Sequence, residues 1–321
     1  MSIFDYDLEA IVREGKHELW QINQAVNFAA LLYRLKDLET ELGRQGYGLE
    51  VGLKAMYLQF HYDLSDRKLE DDLRFNVALR WFCGFSLDEK TPDHTFFCRF
   101  RRLMGTKRIG KIFKSIVDKA QDKKLVRQVF TFVDATAIKV KETTWAERDK
   151  ALSEGEDKLN NDNVGGYGAD SQARFGCKGK NKFWYGYKES DSVDMSSGLI
   201  TKVAVNPANV SDTQAFQHVC PKGGMVFADK AYCLKLAQDE MRKNGCHSGA
   251  IQKNNMKTKN RDLDRWLSGV RAQFEGVFSQ RPKRARYRGI AKVQLQAFMQ
   301  AIVFNCKRLV TINAPPLFAG A

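Results

Sequence analysis

Two short apolar runs, Val129-Phe-Thr-Phe-Val-Asp134 and Met225-Val-Phe-Ala-Asp229, each end in an aspartate. This pattern restricts the fold more than any other in the chain. Unbroken runs of β-formers have the look of strands covered on both faces. An ionised carboxylate closing such a strand is costly to bury alone. One such aspartate reads as a turn former or a helix cap. The balance shifts with a third acid, Glu275, in the stretch R-W-L-S-G-V-R-A-Q-F-E-G-V-F-S, one of only three acids in residues 251–321. Three converging carboxylates can hold two divalent cations and clamp the attacking and leaving oxygens of an in-line phosphoryl transfer. Oxygen donors favour Mg²⁺ or Mn²⁺. The five histidines show no zinc-binding spacing and the seven cysteines no C-x-x-C pair, so buried, reduced thiols are expected.

The formal charge is +14, and +11 of it falls in residues 251–321. Such an excess attracts a polyanion, and nucleic acid is the commonest one inside cells. The densest part is R-P-K-R-A-R-Y-R, which supplies Arg281, Lys283, Arg284, Arg286 and Arg288 as phosphate-binding candidates, with Tyr287 between them. No run of about 18 apolar residues is present to cross a bilayer. The first residues are acidic where a secretory leader would be basic and then apolar. A cytoplasmic, nucleoid-associated protein with no membrane partner is expected.

The first 120 or so residues have a helical period. Helices are expected over Ile22–Leu42, over Leu53–Tyr62, from Ser65 or Asp66 to Cys83 with Gly84 as its stop, and from Thr91-Pro92-Asp93 onward with Pro92 in the first turn. The last places Phe96, Phe100 and Leu103 on one face and Arg99 and Arg102 on another, which resembles a helix-turn-helix DNA reader. The pattern changes near Val126. Strands are expected at Val129–Asp134, Phe183–Lys188, Leu199–Val205, Met225–Asp229 and Ser248–Gln252, with a polar surface excursion over 142–182 and a turn holding Asp191, Asp194 and Gly198. Helices are expected after Asn209 or Ser211 as cap, over Ala231–Lys243, Trp266–Phe278 and Lys292–Leu309. The whole is a mixed α/β domain behind a helical one.

Several segments in order closely resemble the DDE transposases of bacterial insertion sequences, specifically the insertion-sequence-five family. They are Leu73–Phe85 (LRFNVALRWFCGF), Pro92–Arg101 (PDHTFFCRFR), Val133–Lys139 (VDATAIK), Phe183–Lys188 (FWYGYK), Gly198–Asp212 (GLITKVAVNPANVSD), Phe227–Tyr232 (FADKAY) and Arg271–Phe278 (RAQFEGVF). The resemblance implies an α/β, ribonuclease-H-like catalytic domain preceded by an all-helical DNA-binding domain. The expected boundaries are 1–122, 123–310 and a tail at 311–321. It also implies that Asp134, Asp229 and Glu275 bind two metal ions, and that Arg271, in an R-x-x-x-E pattern, orients the glutamate or meets the scissile phosphate. Where the family often has a lysine seven positions after the glutamate, this chain has Pro282 between Arg281 and Lys283. Lys230, beside Asp229, is a further candidate for DNA phosphate.

The activity so implied is that of a transposase. It would bind the terminal inverted repeats of its element, cleave the ends and join 3′-hydroxyls to target DNA, as a homodimer or higher oligomer on double-stranded DNA. The rival reading is a non-catalytic or repurposed DNA-binding regulator derived from a transposase.

Overall fold

The computed structural model of the chain describes residues 3–33, 35, 46–156, 158–179, 181–256, 259–279, 281–312 and 317; the side chains of 3–7, 275 and 277–279 lie outside that description. The chain forms two compact units, Met1–Leu125 with Met299–Ala321, and Val126–Phe298. The helical unit therefore takes back the C-terminal residues from Met299 on, where the sequence pattern extends the catalytic domain as far as 310. The expected tail, 311–321, lies mostly outside the described residues.

The helical unit contains α1 (Ile3–Glu14), α2 (Glu18–Ala25), α3 (Phe28–Leu32), α4 (Gly48–His61), α5 (Asp66–Phe75), α6 (Val77–Cys83) and α7 (His94–Asp122). Asparagines divide what the periodicity joins. Asn27 caps α3 by accepting from the Ala30 amide, and Asn76 closes α5 and caps α6 by accepting from the Ala78 and Leu79 amides. An asparagine oxygen satisfies amides that a continuing helix would bond internally, so it starts a new helix readily. Of the expected helix Ile22–Leu42, residues 34 and 36–42 lie outside the described ones.

Asp93, not Pro92, sets the start of α7: its carboxylate accepts from the Phe96 amide at 3.0 Å. Residues 84–93 separate α6 from α7, a longer link than the roughly three to four residues of a helix-turn-helix. Phe28, Tyr57 and Phe82 meet edge-on or tilted with ring centroids 5.4–5.7 Å apart and fill the core of this unit.

The second unit is built on a six-stranded sheet: β1 (Phe130–Lys139), β2 (Arg174–Lys178), β3 (Lys182–Asp194), β4 (Ile200–Pro207), β5 (Gly224–Ala228) and β6 (Cys246–Ala250). β1 runs antiparallel to β3 and parallel to β5, β5 is parallel to β6, and β4 is antiparallel to β3. Short helices α8 (Trp145–Ser153) and α9 (Val164–Tyr167) follow β1, α10 (Asp212–Ala215) follows β4, and α11 (Lys235–Lys243) precedes β6. The long helices α12 (Arg261–Ser279) and α13 (Ile290–Thr311) come last, and the first residues of α13 belong to this unit. The supposed surface excursion contains β2, and β3 runs far past Lys188 through the expected turn.

Side-chain alternation gives the sheet two faces. Val133, Val226 and Ala228 join Phe216, Tyr232, Ala237 and Met241 in one core. On the other face Phe132 meets Phe274 of α12 at 6.2 Å and Phe227 meets Trp266 at 6.1 Å. These aromatic pairs seat α12 over β1 and β5. All seven cysteines are free, with Cys98 and Cys177 exposed rather than buried as expected.

In the helical unit Gly52 of α4 lies directly against α7, because a methyl group there would stand 2.2 Å from the ring of Phe100. Gly52→Ala is expected to cost about 1–3 kcal/mol by overpacking. A thermal melt followed by far-UV circular dichroism checks this, and an unchanged midpoint would contradict the close packing of these helices.

Candidate active site

The two sequence-predicted aspartates come together through strand pairing. β1 and β5 pair in register as Phe130↔Met225, Thr131↔Val226 and Phe132↔Phe227. Asp134 and Asp229 each lie two residues beyond the last of these pairs, so neighbouring parallel strands deliver both carboxylates at the same level. Asp134 does not end its strand as expected: β1 continues to Lys139, held by β3 on its other side. Asp229 does follow the end of β5, and it caps the next turn by accepting from the Ala231 amide at 2.8 Å.

Electrostatics register this meeting. Burial, joined by the charge of Asp229, pushes the Asp134 carboxyl up to about 6, against the pull of the Ala135 amide, Arg271 and Lys178. The amide of Ala135 donates to Asp134 Oδ1 at 2.8 Å. Two carboxylates driven together in this way are a donor set suited to a hard divalent cation. Among the described residues no group of three or more acidic, histidine or cysteine side chains could hold a metal. Glu275 lies in α12, one turn after Arg271, and its side chain falls outside the described residues.

Arg271 lies over the Phe132 ring, its guanidinium carbon 5.6 Å from the centroid. Phe132 precedes Asp134 by two residues, so the same face of β1 carries the ring that seats the arginine and the acid it influences. Lys178, at the end of β2, is a contributor that sequence reasoning does not single out; its only signal is the basic run C-K-G-K-N-K.

The DNA-binding candidates divide. Arg99 and Arg102 on α7 are exposed, as are Lys230, Lys283, Arg284 and Arg288, while Arg286 is half-buried. Lys230 borders a cleft lined also by Lys259, Arg261 and Arg265, with Asp264 the acid among them. The backbone of the segment from Lys283 is fixed at several points: Lys139 donates to the Lys283 carbonyl at 2.8 Å, Ala285 donates to the Lys139 carbonyl at 2.9 Å, and Gly289 donates to the Asp170 carboxylate at 2.7 Å. Arg288 lies 3.9 Å from Glu147.

Arg281 is a correction. It is buried and paired with Glu189 at 2.5 Å and with Asp191, so it cannot offer its guanidinium to a phosphate on the surface. Its partners escape a sequence reading because K-E-S-D-S-V-D has the look of a polar turn. Only the period-two spacing of Glu189 and Asp191 hints that both lie on one face of a strand. Asp170 is likewise structural: buried, it accepts from the Tyr187 hydroxyl at 2.8 Å as well as from Gly289. Asp212, at the start of α10, pairs with Lys188 at 2.7 Å.

Comparison with known proteins adds the family. A model described as "Transposase DDE domain" matches residues 127–306, and one described as "Transposase domain (DUF772)" matches residues 6–103. Among solved structures, a Mos1 transposase paired-end complex with left transposon end is 9% identical over 82% of this chain and 79% of that one, with a TM-score of 0.19. A pre-cleavage Mos1 transpososome is 9% identical over 82% of this chain and 98% of that one, with a TM-score of 0.18. Among the described residues, no helix is long and apolar enough to cross a membrane.

The raised Asp134 carboxyl has a consequence for stability. The native state holds this proton more tightly than the unfolded chain does, so the stability it contributes is full below the ordinary value of 3.8 and is lost as pH rises through about 6. In chelator, Asp134→Asn is expected to melt at a higher temperature than wild type at pH 8, with the difference vanishing near pH 4. Melts at both pH values test this, and a pH-independent difference would remove the buried like-charge account.

Proposed function

Because the chain belongs to the transposases that carry a DDE domain, we propose that it cuts and joins DNA with Asp134, Asp229 and Glu275 as its metal-binding carboxylates. The observation that carries this reading is the placement of Asp134 and Asp229 at one level on neighbouring parallel strands, inside the matched segment. The order β4-β3-β1-β5-β6, with the first aspartate on the first strand, the second after β5 and the glutamate on a late helix, favours a ribonuclease-H-like domain. The quoted motifs favour the insertion-sequence-five family.

A pair of Mg²⁺ or Mn²⁺ ions bound here would activate a water or 3′-hydroxyl and stabilise the charge on the leaving oxygen. The chain's own residues supply the rest. Asp134 and Asp229 sit in a partly buried setting, where each ligand interaction counts for more than in bulk water. Arg271, seated on Phe132, faces this negative site with a fixed guanidinium that suits a scissile phosphate. Lys283, Arg284, Arg286 and Arg288, on a backbone tied to the end of β1, would grip the phosphates of a bound duplex, and Lys230 is placed beside Asp229 to do the same. The helical unit, through the exposed Arg99 and Arg102, would recognise the terminal inverted repeats. Processing two ends together calls for a homodimer or larger assembly on DNA.

Two measurements test this. With Mg²⁺ and a labelled duplex carrying the inverted repeats that flank the reading frame, wild type is expected to cleave, and Asp134→Asn to lose at least about 100-fold in rate, since removing one metal-ligand charge withdraws several kcal/mol of transition-state stabilisation. Equal cleavage by the variant would overturn the assignment. Replacing Lys283, Arg284 and Arg288 together by alanine is expected to flatten the log–log salt dependence of duplex binding by about 2.7, at about 0.9 for each phosphate no longer neutralised. An unchanged slope would take the DNA-gripping role from this segment.

A further inference from the structure

We propose that Arg281 is a positioning residue for the carboxylate site: by bridging Glu189 and Asp191 it fixes the exit of α12 against the strand that flanks Asp134. The inference rests on the transposase reading above for what the site does, and on the following geometry for how the site is held.

Arg281 follows the end of α12 by two residues, Arg271 by ten and Glu275 by six. Its guanidinium is buried and donates to Glu189 Oε1 at 2.5 Å and to Asp191 Oδ2. In the β1–β3 register Asp191 stands directly opposite Asp134, and Glu189 opposite Thr136. Directly opposed residues project to the same face, so the anchor acids share a face with Asp134. The chain then crosses to β1, where Lys139 binds the Lys283 carbonyl and the Ala285 amide. The exit of α12 is thus tied to β1, which carries Asp134, and to β3, which pairs with it, while its aromatic residues seat the helix on Phe132 and Phe227.

Two carboxylates and one guanidinium leave one formal negative charge in a buried cluster, and Asp191 Oδ1 has no hydrogen-bond partner among the described residues. An apolar trio of similar volume would hold a helix at least as well. A planar guanidinium spanning two fixed acids gives something an apolar contact does not: a fixed register along the helix axis. That register sets where Arg271, one helical turn before Glu275 in sequence, stands relative to Asp134.

The test compares wild type with Arg281→Lys, which keeps the charge but cannot span both acids, and with the charge-reduced triple variant Glu189→Gln/Asp191→Asn/Arg281→Gln, which removes the buried charges should the lysine variant fail to fold. Three quantities are read on the full chain: Mn²⁺ affinity by electron paramagnetic resonance, affinity for the terminal-repeat duplex, and the single-turnover cleavage rate in Mn²⁺. Duplex affinity is expected to stay within about twofold. Mn²⁺ affinity is expected to fall at least fivefold and cleavage at least tenfold, in whichever variant folds. A folded variant with wild-type Mn²⁺ affinity and cleavage would overturn the proposal, as would a parallel loss of duplex affinity, which marks general damage. If wild type binds Mn²⁺ but does not cleave, the transposase reading fails and the Mn²⁺ comparison alone decides this one. If wild type binds no Mn²⁺, the cation site and its positioning residue fall together.

Discussion

Parallel pairing of β1 with β5 is the constraint on which the site depends. It places Asp134 and Asp229 at the same level beyond Phe132 and Phe227, and it does so in an environment where burial and mutual repulsion raise the Asp134 carboxyl. A fold selected for stability alone would not put like charges there. The aromatic residues next to them offset part of the cost, because Phe132 and Phe227 bury large apolar surfaces against Phe274 and Trp266. The apolar half of each strand holds the helix, and the acidic end is thereby held in place. On the same face of β1, Phe132 packs against α12 and Asp134, two residues on, approaches Asp229.

The parts of this arrangement with a strong local signature are legible in the sequence. Apolar runs ending in aspartate mark β1 and β5, and the amphipathic stretch around Glu275 marks α12. β3 is only half visible because its second half, K-E-S-D-S-V-D, has no hydrophobic alternation. It is a strand because partners complete it: Arg281 for Glu189 and Asp191, the Val219 carbonyl for the Ser192 hydroxyl, and the Gln128 and Ser197 amides for Asp194. Each of those partners except Ser197 is distant in sequence. No window of local pattern contains them, so a polar run that reads as a turn becomes part of a strand that pairs with β1, β2 and β4. The same reason hides β2, which is short, glycine-containing and defined by its pairing with Lys182–Gly186.

Helix boundaries in the N-terminal unit escape the sequence pattern for a different reason. Asn27 and Asn76 each interrupt a stretch whose apolar spacing is nearly continuous, and each does so by presenting its side-chain oxygen as an acceptor to the amides that follow. Periodicity senses which face is buried and is blind to a one-residue cap that redirects the axis. Pro92 misleads in the same way: its fixed φ suits a first turn, but Asp93 is the acceptor for the Phe96 amide.

The basic excess in residues 251–321 takes on a more specific meaning once its members are placed. Arg271 faces Asp134, Arg281 is enclosed by Glu189 and Asp191, and Lys259 lies 3.2 Å from Asp264. These cations are answers to acids that the sheet and its connections bring inward. Lys283, Arg284 and Arg288 are exposed on a segment that backbone hydrogen bonds tie to β1 and Asp170, with the Arg288 side chain also 3.9 Å from Glu147. A segment anchored through its backbone keeps the Lys283 and Arg284 side chains exposed without losing its place. One run of eight residues therefore carries two kinds of arginine: Arg281, before Pro282, is enclosed by the acids it pairs with, and Arg284, after it, is exposed on a segment held by its backbone.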